Sequence, residues 1–559
     1  MTRFLRIAAF LAALAGSSPA PADAAAPILH PKVVTGGSVD CASVESIVHG
    51  LIRPGMTDEE KLLSLYHWFR RTVYHYRMMG ADRRDVLRVL NSYGGLLCGS
   101  QSAVFRLLCS AAGLKARVVS GDGGRELGHT VLEVWYNGGW HVIDTMTSFY
   151  VRNRRDDGEI AAMADLAADP TLATMAVEEG RCGPEFLYCV RHKETGLADR
   201  RRMEASGMPS PDLPWTLFVI APDEHGNPQD ILTFWTKGPR RPTHKEPGDA
   251  YGARYAPGLL DIALKPNEEY ARLWDNTGQW MTIGNFEKVG PYHTCGRSDE
   301  FDPVNFRHFE PYKKENVGYA RYAYRYFANG WLDWQPKRDE ILLGSVPENL
   351  TLDKATGFFA ASEPAVLRIP VKSPYAVVEA ALEIETQYAD PSTALTVTCS
   401  PSDDAYNHGI APQVEALKRA PGRARIAFDV GRRTDVQGGV FAYELQVRVT
   451  GGRARFAVRR VKTTFMLNMY SLPFLEPGDN KVTVSAASAG PLQVSYEWAE
   501  GNGWTAPRRD LRVIRTFPSS YSIKVSGPKM PRMKRLVMRF APSSRTASPP
   551  RVPRERAGS

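Results

Sequence analysis

The chain has 559 residues, 43% hydrophobic and 23% charged. That is ordinary globular composition; it excludes a mostly disordered or collagen-like protein and exceeds what one hydrophobic core can organise. Lys and Arg outnumber Asp and Glu by 70 to 61, but the stretch from Lys524 to Ser559 holds ten basic residues against Glu555 alone, so it carries the whole +9 excess and the body of the chain is neutral, which argues against a nucleic-acid partner.

At the N-terminus, Arg3 and Arg6 precede an apolar run from Ile7 to Ala15, and Ala22-Asp23-Ala24 or Ala24-Ala25-Ala26 offers a small-residue cleavage site. This layout predicts a signal peptide over residues 1–26, too short to span a bilayer. No later run reaches about 18 apolar residues, so the mature protein is expected to be soluble, not membrane-spanning, and secreted or periplasmic. Seven cysteines follow, at 41, 98, 109, 182, 189, 295 and 399; in an oxidising compartment an odd number leaves at least one thiol without an intramolecular partner. Cys182 and Cys189 flank Gly183-Pro184 and have the spacing to bridge a loop.

From Thr57 the pattern mixes helix and strand. Thr57-Asp58-Glu59-Glu60 is a capping box, followed by a helical stripe through Leu62, Leu65, Tyr66, Phe69 and Val73. A second helix starts near Cys98 and ends at Gly113, a C-terminal cap. Leu114 to Ser120 reads as a strand. His129 to Tyr136 and Trp140 to Thr145 read as a hairpin around Asn137-Gly138-Gly139, and Glu159 to Glu179 as a helix interrupted at Pro170. Beyond about residue 210, helical periodicity fades. Short alternating strands appear, at β-sandwich spacing between about 355 and 466, then in a last β-rich piece to Phe540. Residues 542–559 form a Pro-, Ser- and Arg-rich disordered tail.

Three polar residues fit one nucleophilic site. Cys98 sits at a helix start, where free amides and the positive end of the helix dipole favour a thiolate. A thiolate needs an imidazole partner, and the imidazole needs a group that fixes its tautomer. Hairpin register identifies both. With Asn137-Gly138 as a two-residue type I′ loop, paired positions sum to 275, Asp144 faces Val131, and His129 is its diagonal neighbour at roughly 7 Å between Cβ atoms. With Gly138-Gly139 as the loop the sum is 277 and Asp144 lies about 13 Å from His129, out of reach. The site therefore requires the Asn-Gly register or a bulge. His141 falls on the opposite face in either case. Cys109, nearly three turns along the same helix, reads as core. No CxxC or HExxH occurs, so neither a metal site nor a cofactor is expected.

Four segments carry a resemblance. Tyr93-Gly94-Gly95-Leu96-Leu97-Cys98-Gly99-Ser100, Gly113-Leu114-Lys115-Ala116-Arg117-Val118, Gly128-His129-Thr130-Val131-Leu132-Glu133-Val134 and Trp140-His141-Val142-Ile143-Asp144 together resemble the transglutaminase-like superfamily over about residues 57–150. The resemblance implies a papain-like α+β core with Cys98 as nucleophile, His129 as general base and acid, and Asp144 as the orienting group. Thr130 stands where that family frequently has alanine. The upstream tryptophan that helps bind the oxyanion in its animal crosslinking members has no counterpart; the Cys98 amide is one oxyanion donor, with Asn91 or Tyr93 as candidates for a second.

The expected architecture is thus multidomain: a transglutaminase-like domain over 27–205, a β-rich connecting region over 206–354, a β-sandwich over 355–466 and a small β-rich unit over 467–541. The expected function is cleavage or transfer of amide or peptide bonds through a thioester, with hydrolysis favoured because water is the abundant acceptor at an exported site. The alternative is a non-catalytic protein that binds an envelope polymer or glycan and uses the thiol domain as a scaffold. Tyr375, Tyr388, Tyr406, Phe441, Tyr443, Tyr496 and Trp498 supply rings that suit either a glycan surface or a core; the even spacing of Tyr443, Leu445 and Val447 reads as core.

Overall fold

The structure, a computed structural model, describes residues 26–75, 85–96, 98–122, 128–145, 149–152, 158–173, 240–245, 260–274, 279–280, 296–297, 327–388, 390–402, 413–417, 421–428, 430, 440–488, 490–500, 507–528 and 530–541. The signal-peptide segment before residue 26, Cys182, Cys189, Cys295, Tyr406 and the tail beyond 541 lie outside the described residues.

Helix formation in the N-terminal part follows local chemistry. Ser43 caps the Val44–Leu51 helix and Thr57 caps the Asp58–Thr72 helix, each in a reciprocal capping box with the residue three positions on. The third long helix, Cys98–Ala111, is stopped by Gly113, whose φ of 80° admits the left-handed turn that closes it. The interruption expected at Pro170 separates a Met163–Ala168 helix from a short turn at 171–173.

Beside these helices stands a four-stranded antiparallel sheet ordered Gly139–Ile143, Gly128–Tyr136, Lys115–Asp122 and Arg240–Lys245. Leu132, Val134, Tyr136 and Ile143 join the core formed by the Asp58–Thr72 and Cys98–Ala111 helices. Val119, Val131 and Val142 point the other way, into a smaller core with Phe149, Val151 and Leu166. Period-two alternation thus gives the sheet two apolar faces.

The remainder is a large all-β region. One antiparallel sheet of thirteen strands runs from Gln413–Ala416 through Ala394–Pro401, Ala442–Thr450, Phe358–Lys372, Ala454–Asn468, Phe327–Trp334, Glu268–Leu273, Arg532–Phe540 and Leu492–Ala499 to Arg508–Ile514, with three further strands paired alongside. Its hydrogen bonding crosses residues 354 and 466 without a break, because the Phe327–Trp334 and Glu268–Leu273 strands bridge Ala454–Asn468 to Arg532–Phe540. Gly330 is required at that bridge: a Cβ there would meet the Ala271 carbonyl and the Phe465 ring, each at 2.3 Å. Near the N-terminus, Lys32–Thr35 pairs with Gly478–Ser485, and Ile28–Leu29 with Ala263–Leu264, so the residues that open the described chain pair with strands more than 200 residues away.

The helical part is fastened to the large sheet through buried polar groups. Asn468, fully buried, donates to the Thr72 and Leu90 carbonyls at 2.9 and 2.8 Å. Ser92 Oγ accepts from the Ala376 amide at 3.2 Å, and the buried Arg88 guanidinium lies 4.0 Å from the Phe441 ring centre. Among the described residues, no helix is long and apolar enough to cross a membrane.

Candidate active site

The hairpin adopts the 275 register. Leu132 pairs with Ile143 and Tyr136 with Gly139, and Asn137 and Gly138 have φ of 48° and 82°, the two left-handed residues of a type I′ turn. Pairing carries His129 and Asp144 onto one face as diagonal neighbours. His129 Nε2 lies 2.7 Å from Asp144 Oδ2, with His129 6% and Asp144 1% exposed. His141 occupies the other face, stacked on Tyr136 at 3.7 Å, its ring nitrogens facing the Ile160 and Tyr136 carbonyls; its surroundings are structural.

Cys98, the first residue of its helix, has a free, partly accessible thiol that hydrogen-bonds the His129 side chain. Asp144 holds Nε2, which leaves Nδ1 as the nitrogen toward the sulfur. Burial pushes the Cys98 thiol up, but the hydrogen bond and positive charge of His129, joined by the Thr130 backbone N–H, outweigh it and hold the thiol below its ordinary value. Burial pushes His129 down; the charge and hydrogen bond of Asp144, then those of Cys98, overcome it and raise the imidazole to about 10. Each group favours the charged form of its neighbour. The arrangement supports a thiolate–imidazolium pair, with a carboxylate behind the ring.

Residues without a sequence signature brace this group. Ser102 Oγ lies 2.9 Å from the Cys98 carbonyl and 3.1 Å from that of Thr130. Tyr66 donates its hydroxyl hydrogen to the Asp144 carbonyl at 3.3 Å, and buried Arg70 donates to the Thr145 carbonyl. Tyr66 and Arg70 are one turn apart on the Asp58–Thr72 helix, so a guanidinium in register with an apolar stripe was the available signal. Arg117 pairs with the buried Glu133 at 2.8 Å and stacks 3.8 Å from the Trp140 ring centre, tying three strands together.

One sequence candidate changes role. The Asn91 amide nitrogen donates to the Cys41 and Leu87 carbonyls, both at 2.9 Å; with both hydrogens engaged it is not free to bind an oxyanion. The Tyr93 side chain lies outside the described residues. The other described free thiols, Cys41, Cys109 and Cys399, are buried, and burial pushes those of Cys41 and Cys109 well up. Among the described residues no group of three or more His, Cys, Asp or Glu could hold a metal ion. Of the rings offered above for a glycan surface, Tyr375, Phe441, Tyr443, Tyr496 and Trp498 turn inward, all at most 4% exposed; the Tyr388 side chain and Tyr406 lie outside the described residues.

Comparison with known proteins adds a family. Residues 45–145 match the model of the transglutaminase-like superfamily. No curated protein matches the chain. Among solved structures, the enzymatically active domain of tailspike protein 4 from bacteriophage CBA120 is similar at 14% identity, 23% of this chain, 19% of that one and a TM-score of 0.16. TmCBM61, solved in complex with β-1,4-galactotriose, gives 10% identity, 25% and 70% coverage and a TM-score of 0.13. The glycoside hydrolase domain of Endo-D from Streptococcus pneumoniae R6 gives 12% identity, 35% and 32% coverage and a TM-score of 0.15. Overlaps this slight carry no argument about the chain. What the family match and the strand pairing state together is that a transglutaminase-like domain, matched over residues 45–145, stands at the N-terminal end of a large, mostly antiparallel all-β region.

Proposed function

We propose that the protein is an exported thiol enzyme that cleaves or transfers amide bonds, with Cys98 as nucleophile, His129 as general base and acid, and Asp144 as the group that orients His129. The observation that carries this reading is the 2.7 Å contact between His129 Nε2 and Asp144 Oδ2 on an imidazole that also hydrogen-bonds Cys98. The match of residues 45–145 to a superfamily of thiol-enzyme type supports it, as does the packing of the Cys98–Ala111 helix beside an antiparallel sheet, which we read as a papain-like core.

In this mechanism the Cys98 thiolate attacks the amide carbonyl, the Cys98 backbone N–H stabilises the oxyanion, and the imidazolium gives its proton to the departing amine. A thioester remains. Water, deprotonated by His129, resolves it to the acid and regenerates the thiol; an amine in place of water gives acyl transfer. Hydrolysis is favoured because water is the abundant acceptor at an exported site. The substrate is then a peptide or amide outside the cytoplasm, a cell-envelope polymer included.

Activity-based labelling of wild type and Cys98→Ala with a thiol-reactive acyl probe, followed by turnover on peptide, peptidoglycan and amine-acceptor panels, tests the proposal. Labelling and turnover that both vanish in Cys98→Ala are expected. Turnover that persists in Cys98→Ala removes the assignment.

A further inference from the structure

The hairpin carries His129 and Asp144 to one face, but its ladder stops short of them. The last backbone pair is Leu132 with Ile143, so both members of the 2.7 Å contact lie beyond it, where strand ends open most easily. The imidazole side has its own tie: His129 pairs with Gly121 on the Lys115–Asp122 strand. The carboxylate side is tied to a helix. Asp144 exchanges backbone hydrogen bonds with Phe149. Its carbonyl also accepts from the Tyr66 hydroxyl at 3.3 Å, and the next carbonyl, that of Thr145, accepts from the Arg70 guanidinium. Tyr66, Arg70, Asp144 and Thr145 are all at most 2% exposed, so bulk water does not replace a donor that is lost.

The same Asp58–Thr72 helix also seats the sulfur. The rings of Tyr66 and Phe69 lie against Phe105, with centres 6.3 and 5.2 Å away, and Phe105 belongs to the Cys98–Ala111 helix. Tyr66 thus meets the helix of the nucleophile with its ring and the residue of the carboxylate with its hydroxyl. Arg70, one turn on, repeats the grip with a planar donor that fixes direction as well as distance. One helix is therefore the common base for both ends of the Cys98–His129–Asp144 group, and a displacement of about 1 Å in such a group costs rate heavily.

We propose that Tyr66 and Arg70 are positioning residues. Together they fix the backbone of Asp144 and Thr145 so that the carboxylate meets His129 Nε2 and, through the imidazolium, keeps Cys98 ionised. This role rests on the thiol-enzyme reading above and adds to it the element that sets the geometry.

The test is the pH profile of Cys98 labelling by iodoacetamide, corrected with Cys98→Ala and measured beside urea midpoints, in wild type, Tyr66→Phe, Arg70→Met and Leu65→Ala. Tyr66→Phe keeps the ring and removes the hydroxyl; Arg70→Met removes the donor. Both should move the profile to higher pH and slow the rate on its acid limb, by about fivefold for a neutral hydrogen bond and about tenfold or more for a charge-assisted one. Leu65→Ala, which opens a cavity in the buried face of the same helix, should lower the urea midpoint and leave the profile in place. Where Arg70→Met does not fold, Tyr66→Phe decides. A wild-type profile in Tyr66→Phe or in folded Arg70→Met, or an equal shift in Leu65→Ala, would overturn the positioning role and leave the thiol enzyme standing. A wild-type Cys98 that labels as an ordinary thiol would overturn both.

Discussion

Ser102 Oγ lies between the Cys98 and Thr130 carbonyls, at 2.9 and 3.1 Å, so a single hydroxyl sits between the turn that carries the thiol and the strand residue that follows His129. Its one hydrogen serves one carbonyl at a time. Ser102→Ala should cost about 1 kcal/mol of stability and loosen the spacing of sulfur and imidazole. Iodoacetamide labelling of Cys98 at pH 6 should slow several-fold, with the far-UV spectrum unchanged. An unchanged rate would mean that packing alone fixes the spacing.

Cys98 should label quickly where ordinary thiols do not. Its thiol is held below the usual value of about 8.5 by His129, so the labelling rate, corrected with Cys98→Ala, should persist to lower pH than that of an ordinary thiol. His129→Gln removes both the imidazole hydrogen bond and its charge, leaving burial and the Asp144 charge opposed only by the Thr130 backbone N–H. Its profile should move to or above the ordinary thiol range; coincident profiles would show that His129 does not act on the sulfur.

Asp144→Asn keeps the shape of the contact and removes its charge. The imidazolium then loses its largest support, the thiolate fraction falls with it, and turnover on any substrate found by labelling should drop by a factor on the order of 10³–10⁴. A drop below tenfold would argue that another group orients His129.

The pair also imposes a pH dependence on stability. His129, raised from about 6.5 to about 10, contributes stability that is full below pH 6.5 and is lost as pH rises toward 10. Cys98, lowered, contributes stability that is present above the ordinary thiol value and is lost as pH falls through its own value. Above about pH 8.5 the unfolded imidazole and thiol have both released their protons while folded His129 still holds one, so the pair's contribution declines as pH rises from there toward 10. Urea midpoints of wild type relative to the Cys98→Ala, His129→Gln double variant should fall over that range. A difference that stays constant there would exclude an ion pair.

Asn468→Ala leaves the Thr72 and Leu90 carbonyls buried without their donor. A loss of about 2–4 kcal/mol is expected, with the transition splitting as the helical part uncouples from the large sheet. Circular dichroism and near-UV absorbance, followed together through denaturation, would reveal the split; a single transition at the wild-type midpoint would refute the coupling.

The sequence by itself determined what short stretches of backbone decide. The Thr57 capping box, the Gly113 stop and the Asn137-Gly138 turn are set by φ preferences and side-chain reach within a few residues, and the turn fixes the register that brings Asp144 to His129. Alternation separated His141 from that pair. Tertiary structure decided the rest, because contacts that form only once the chain has packed leave no periodic trace in the sequence. Lys32–Thr35 found its sheet partner at Gly478–Ser485, Asn91 spent its amide on the Cys41 and Leu87 carbonyls rather than on an oxyanion, and Tyr375, Phe441, Tyr443, Tyr496 and Trp498 turned into the core.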